Sequence, residues 1–210
     1  MLQYINDTFQ ILHASKRNLI IWPEGAISTA FNLFTQKNNL AFPLIQQQIT
    51  MIEKRLKKQD SSLLTGTFYS DPKSKKRYNA IALINGSQNY QYYLKQKLVP
   101  FGEYYPLPFL SKPITKALKI AWSNLSPGDD NQQPLKVFTD DKNPSDSYKI
   151  SPFICYDAAY SNMVRNDAKG KQVIVIVSDD AWFGRSSALK QQLQIAQMRA
   201  IETGRYVLVD

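Results

Sequence analysis

A length of 210 residues, set against about 150 for a typical domain, fits one globular unit with enough chain to bury a large core. Apolar residues make up 43% and charged residues 20%, which excludes wholesale disorder; 8 Gly and 11 Pro without any period exclude collagen-like or low-complexity arrays. A balance of 26 basic to 17 acidic residues, +9 overall, favours acidic partners, while a single cysteine and a single histidine exclude an intramolecular disulfide, a four-cysteine zinc site and a histidine cluster.

Leu2, Ile5, Phe9 and Leu12 recur at helical spacing, so residues 2–14 read as an amphipathic helix. Met1 to Ala14 has no basic start followed by an apolar block and does not read as a secretory signal. Asn18–Trp22 is a short apolar run stopped by Pro23, as a buried strand would be. Pro43–Lys58 fits a helix, with Pro at its start and basic residues near its end. Leu63–Phe68 reads as a strand, and Asn79–Ile84 and Tyr90–Leu94 flank Asn85-Gly86-Ser87 as a hairpin. Lys54–Lys58 and Lys73–Arg77 concentrate the basic charge, read as a solvated helix face and a lysine-rich loop. A Pro- and aromatic-rich loop, Pro100–Leu110, precedes a helix from about Ile114 to Trp122. Residues 125–147 read as a surface excursion around one short strand, Leu135–Thr139. Ile150–Ile154 is another apolar run, with a helical stretch after it to Lys169. Val173–Val177 is the most strongly β segment and the longest apolar run, far below the roughly 18 residues of a membrane-spanning helix. Ala188–Thr203 reads as a helix and Tyr206–Val209 as a last strand. This alternation indicates an α/β fold or a layered α–β sandwich. The chain ends just after that strand, which suggests a truncated domain.

Three candidate catalytic groups share one topological position. Glu24 follows the strand Asn18–Trp22, Lys95 follows Tyr90–Leu94 and Cys155 follows Ile150–Ile154; Asp179 and Asp180 likewise follow Val173–Val177. Ligands of open α/β sheets bind beyond the carboxyl ends of the strands. Each residue alone has a plainer reading: a lone cysteine is commonly a small buried apolar group, Glu24 a helix-start carboxylate and Lys95 a surface lysine. Together they make a coherent acyl-transfer set. A thiol at a strand-to-helix turn faces the positive end of the helix dipole, which favours thiolate. With no histidine nearby, a partly buried glutamate takes the thiol proton, and a lysine ammonium with a backbone N–H holds the oxyanion of a tetrahedral intermediate.

Five segments carry a resemblance: Ile20-Ile21-Trp22-Pro23-Glu24, Leu98-Val99-Pro100-Phe101-Gly102-Glu103-Tyr104-Tyr105-Pro106, Ile154-Cys155-Tyr156-Asp157, Asp180-Ala181-Trp182-Phe183-Gly184 and Gln197-Met198-Arg199-Ala200-Ile201-Glu202. In this order the chain resembles the nitrilase superfamily and, within it, the bacterial apolipoprotein N-acyltransferases. The resemblance implies a nitrilase-like α-β-β-α sandwich over residues 1–210, truncated at its C-terminus and lacking the family's membrane helices. It places the general base on Glu24, the lysine on Lys95 and the nucleophile on Cys155, with Glu103, Tyr156 and Asp157 in support. Tyr104, Tyr105, Trp182 and Phe183 are the residues it suggests for guiding acyl chains. Asp157 stands where the family usually has Glu, Lys97 where it commonly has His, Asp179 where it has Asn, and Gln191-Gln192 where it has Gln-His. The implied substrates are a phospholipid acyl donor and the amine of a diacylglyceryl-lipoprotein acceptor. The implied location is a bacterial inner membrane with the domain facing the periplasm, in contact with the membrane surface. No metal or cofactor is implied. A soluble nitrilase-type amidase and a folded but inactive fragment are the competing readings. Nucleic acid is not expected as a partner, because no RNP-like strand, zinc motif or recognition helix accompanies the charge.

Overall fold

The computed structural model describes residues 2–14, 16, 18–34, 43–86, 89–106, 124–138, 146–184 and 186–210. The helix expected at 114–122 lies outside them. Two four-stranded sheets form the centre of the molecule. The first contains β1 (Leu19–Trp22), β2 (Ser62–Ser70), β3 (Arg77–Ile84) and β4 (Gln91–Leu94) in that order. Here β1 pairs parallel with β2, and the other two pairs are antiparallel. The second sheet contains β5 (Leu135–Phe138), β6 (Ser147–Ile154), β7 (Val173–Val177) and β8 (Tyr206–Val209), with β5 antiparallel to β6 and the rest parallel.

The strand alternation makes the layers. Leu64, Ile81, Leu83 and Tyr93 from the first sheet meet Leu135, Ile150, Ile154, Val175 and Val177 from the second in one buried cluster, so the sheets stack face to face. On the outer face of the first sheet, Ile20, Trp22, Leu63, Ala82 and Ile84 take the other parity and pack against helices α1 (Leu2–Ala14) and α3 (Pro43–Lys58). Ile5, Thr8 and Leu12 of α1, and Ile49, Ile52 and Leu56 of α3, recur at three- and four-residue spacing on the buried side. On the outer face of the second sheet, Phe153, Ile174 and Ile176 pack against Ala158, Val164 of α4 (Ser161–Asp167) and Ala196 of α5 (Ala188–Thr203). The architecture is an α-β-β-α sandwich. The helical stretch expected between Ile154 and Lys169 is split into a 3₁₀ turn, Cys155–Ala159, and α4. A one-turn helix α2 (Phe31–Phe34) and a 3₁₀ turn, Asp180–Phe183, are each shorter than two helical turns and show no periodicity.

Residues 124–134 lie at the surface as expected, but they are bonded to the first sheet rather than standing free of it. Ser126 N–H donates to Arg77 O (2.7 Å), Leu125 N–H to Glu103 O (3.1 Å) and Gly128 N–H to Lys95 O (2.8 Å). The Gln132 side chain accepts from Leu94 N–H (2.8 Å) and donates to Leu94 O (2.7 Å), as a neighbouring strand would. The segment is a strap along the open edge of β4. It fits because Gly128 has no side chain: a Cβ there would lie 2.4 Å from Leu94 O.

Candidate active site

The polar residues collect where the inter-sheet layer runs out. Following each inward parity towards the strand end, Ile81 gives way to Asn79, Tyr93 to Lys95, and Val177 to Asp179. Cys155 directly follows Ile154 and packs against the same apolar cluster. A cavity of about 300 Å³ opens there, walled by Phe68, Val99 and Leu125 and carrying Glu24, Lys95, Glu103 and Cys155.

Glu24 sits in the turn after β1, held by close packing. A Cβ on Gly66 of β2 would lie 2.3 Å from Pro23 O and 2.4 Å from Glu24 Cα, so only glycine leaves room for that turn. Lys95 Nζ donates to Glu24 Oε1 (3.4 Å) and Glu103 Oε1 (3.0 Å), with its side chain 2% exposed. Burial pulls the lysine pKa down, but the charges of Glu24, Glu103 and Cys155 outweigh it and hold the ammonium above its ordinary value. Glu103 is anchored by its second oxygen, which accepts from Val99 N–H (2.9 Å). Glu24 Oε2 accepts from Asp179 N–H (3.2 Å), which ties the first sheet to the loop after β7.

Cys155 has φ of +47°, the left-handed region that strains a non-glycine residue. The expectation of a thiolate at rest is corrected here. Burial, followed by the negative charge of Glu24, pushes the thiol up to about 11, with Lys95 pulling the other way. The helix behind it is a five-residue 3₁₀ turn, too short to supply a strong dipole. Burial thus favours the thiol over the thiolate.

Asp157, fully buried, lies under this elbow. Its Oδ1 accepts from Lys97 N–H (2.7 Å), and its Oδ2 from Tyr93 OH (2.9 Å) and Ile154 N–H (3.3 Å). Residues 93 and 97 flank Lys95, so one carboxylate grips both sides of the lysine and the elbow that carries the thiol. Tyr93 was missed in the sequence, as was Asn79, whose Nδ2 donates to Glu24 Oε1 (2.6 Å) and Glu103 Oε1 (2.8 Å). The signal for Asn79 was present: a polar residue at the inward parity of a strand whose Ile81 and Leu83 are core. Tyr104 and Tyr105 are not among the described residues that line the cavity; Tyr105 stacks edge-on with Phe101 (6.4 Å between ring centres). Tyr156 is exposed and stacks edge-on with Tyr160 (5.3 Å). The backbone of Trp182 and Phe183 belongs to the second 3₁₀ turn; their side chains lie outside the described set. Among the described residues no three His, Cys, Asp or Glu side chains gather as metal ligands, and no helix is long and apolar enough to cross a membrane.

A family model for carbon-nitrogen hydrolases matches residues 1–209. The chain belongs to the carbon-nitrogen hydrolase family. Curated relatives of this carbon-nitrogen hydrolase chain carry a narrower name. It is 36% identical over 194 residues to an apolipoprotein N-acyltransferase of Coxiella burnetii, covering 90% of this chain and 35% of the relative. With another of that name, from Wigglesworthia glossinidia brevipalpis, identity is 34% over 212 residues, covering 98% of this chain and 38% of the relative. The chain thus spans about a third of the length of these relatives. In fold, it superposes on a branch 10 member of the nitrilase superfamily from Saccharomyces cerevisiae with a TM-score of 0.60 at 19% identity, covering 99% of this chain and 66% of that one.

Proposed function

We propose that residues 1–210 form the catalytic domain of an N-acyltransferase. In this reading it moves a fatty acyl chain from a phospholipid, through a thioester on Cys155, to the terminal amine of a diacylglyceryl-lipoprotein at a membrane surface. The observation that carries the chemistry is the meeting of Glu24, Lys95 and Glu103 in one cavity with Cys155 in a strained turn. The names of the relatives carry the choice of acyl donor and acceptor.

The residues divide the reaction as follows. Glu24 removes the Cys155 proton as the sulfur attacks the ester carbonyl, so no free thiolate has to accumulate. The resulting oxyanion is met by the Lys95 ammonium and by a backbone N–H of the turn that carries Cys155. Collapse expels the lysophospholipid alkoxide, and Glu24 returns its proton. The acceptor amine then attacks the thioester carbonyl, Glu24 takes the amine proton, and the thiol is restored. Glu103 and Asp157 hold Lys95 in place through both half-reactions. The apolar walls Phe68, Val99 and Leu125 suit an acyl chain.

The test uses phosphatidylethanolamine and a diacylglyceryl peptide in detergent micelles. The expected result is amide formation with ping-pong kinetics, absent in Cys155→Ala. Hydrolysis of small amides without any transfer to the peptide would favour an amidase instead.

A further inference from the structure

The hydrogen bonds around Glu24 close a ring that general-base chemistry alone does not require. Asn79 Nδ2 and Lys95 Nζ each bridge the same two oxygens, Glu24 Oε1 (2.6 and 3.4 Å) and Glu103 Oε1 (2.8 and 3.0 Å). Strand register produces this arrangement. Ala80 lies opposite Leu94, and Lys95 N–H donates to Asn79 O (2.9 Å), so positions 79 and 95 form the next cross-strand pair on the same face. The amide can be oriented only one way, because turned over it would set Oδ1 against two carboxylates. In the observed orientation Oδ1 is buried and has no hydrogen-bond partner among the described residues. The side chain thus serves the site entirely through its two N–H bonds.

Glu24 Oε1 and Glu103 Oε1 face the same lysine, so like charges meet there unless a donor stands between them. Asn79 adds a donor and no charge. We propose that Asn79 is a positioning residue for proton transfer, holding Glu24 ionised and apart from Glu103 so that Glu24 accepts the Cys155 proton while Lys95 keeps its own. The inference rests on the reading of Glu24 as the base. The other charged or titratable groups around Glu24 are Lys95 after β4, Glu103 in the turn at 101–103, Cys155 after β6, Asp179 after β7, and Asp210 after β8, whose carboxyl senses Glu24. All of them remain in Asn79 variants.

The experiment is the pH profile of Cys155 alkylation by iodoacetamide in the full chain, with thermal unfolding to confirm folding. Asn79→Leu is expected to move the acid limb up by about one to two pH units, the worth of a hydrogen bond to a charged group, with the plateau rate kept within a few fold. Asn79→Asp, which adds a third carboxyl, is expected to move it further. Should Asn79→Leu not fold, Asn79→Ser is expected to move the limb in the same direction by less. A folded variant whose rates fall equally at every pH, with the limb unmoved, overturns the proposal. Glu24→Gln is run beside them. If it loses the limb while the Asn79 variants keep theirs, only the role of Asn79 falls; if it keeps the native profile, Glu24 is not the base and both readings fall.

Discussion

Lys95 and Lys97 are two positions apart and live in different surroundings. Lys95 is enclosed with two glutamates, whereas Lys97 offers its backbone N–H to Asp157 while its side chain reaches Asp130 at 3.9 Å in solvent. Lys95→Ala is expected to slow acyl transfer by about 10²–10³, the usual cost of one oxyanion donor. Lys97→Ala is expected to leave the rate within a few fold, because its backbone bond survives. The reverse ranking in a steady-state assay would put the wrong lysine in the site. Asp157 gives a second test, of opposite character. Burial, against the bonds from Lys97, Tyr93 and Ile154, pushes its carboxyl from 3.8 up to about 6. The folded chain therefore holds this proton more tightly than the unfolded chain does. The contribution is full below the unfolded value and is lost as pH rises through the folded one. Asp157→Asn removes that titration. The native chain is expected to lose roughly 2–3 kcal/mol of unfolding free energy relative to the variant between pH 4 and 6.5, measured by urea titration. A difference that stays constant over this range would contradict the buried, raised carboxyl.

The strands and helices were legible because their apolar residues keep strict periods. The 2–14, 43–58 and 188–203 helices and the 173–177 strand match to the residue, and the polar groups after the strand ends converge as the rule for α/β sheets requires. What periodicity does not show is how one segment braces another. Gly66 lies inside a strand that periodicity finds, but nothing in the sequence shows that it makes room for the Glu24 turn. The Pro- and Asp-rich stretch after Leu125 is solvent-facing as it reads, but it also straps Lys95 through backbone bonds that carry no side-chain signature. The state of Cys155 was misread for the same reason: strand followed by helix suggests a dipole, but only three-dimensional burial decides the thiol. Gly66→Ala is expected to destabilise the fold by about 1–3 kcal/mol through overpacking, and to lower kcat more than that loss explains, because the Cβ pushes on Glu24 Cα. A variant with full kcat at a temperature where it is folded would show that the turn has slack.

The +9 charge is not spread evenly. Lys73, Lys75, Lys76 and Arg77 are exposed in and beside the turn joining β2 to β3, and the strap ties Arg77 to the Glu103 turn at the cavity through Ser126 and Leu125. Phe101, 67% exposed, stands on that second turn. If the domain works at a membrane surface as proposed, this basic end is the one expected to meet an anionic bilayer. Co-sedimentation with phosphatidylglycerol vesicles is expected to weaken by up to about 100-fold when Lys73, Lys75 and Lys76 are changed to Gln, at about 1 kcal/mol each. Salt is expected to act likewise, since exposed charges are screened beyond about 10 Å. Binding unchanged by either would contradict a role for this basic end in meeting a bilayer. The central claim, that Glu24 and Lys95 drive acyl capture by Cys155, is tested most directly by intact-protein mass spectrometry after incubation with dipalmitoyl phosphatidylethanolamine in micelles. The expected result is one hydroxylamine-sensitive palmitoyl adduct mapping to Cys155, absent in Cys155→Ala and strongly reduced in Glu24→Gln and Lys95→Ala. An adduct that persists without Cys155, or forms equally fast without Glu24 and Lys95, would contradict it.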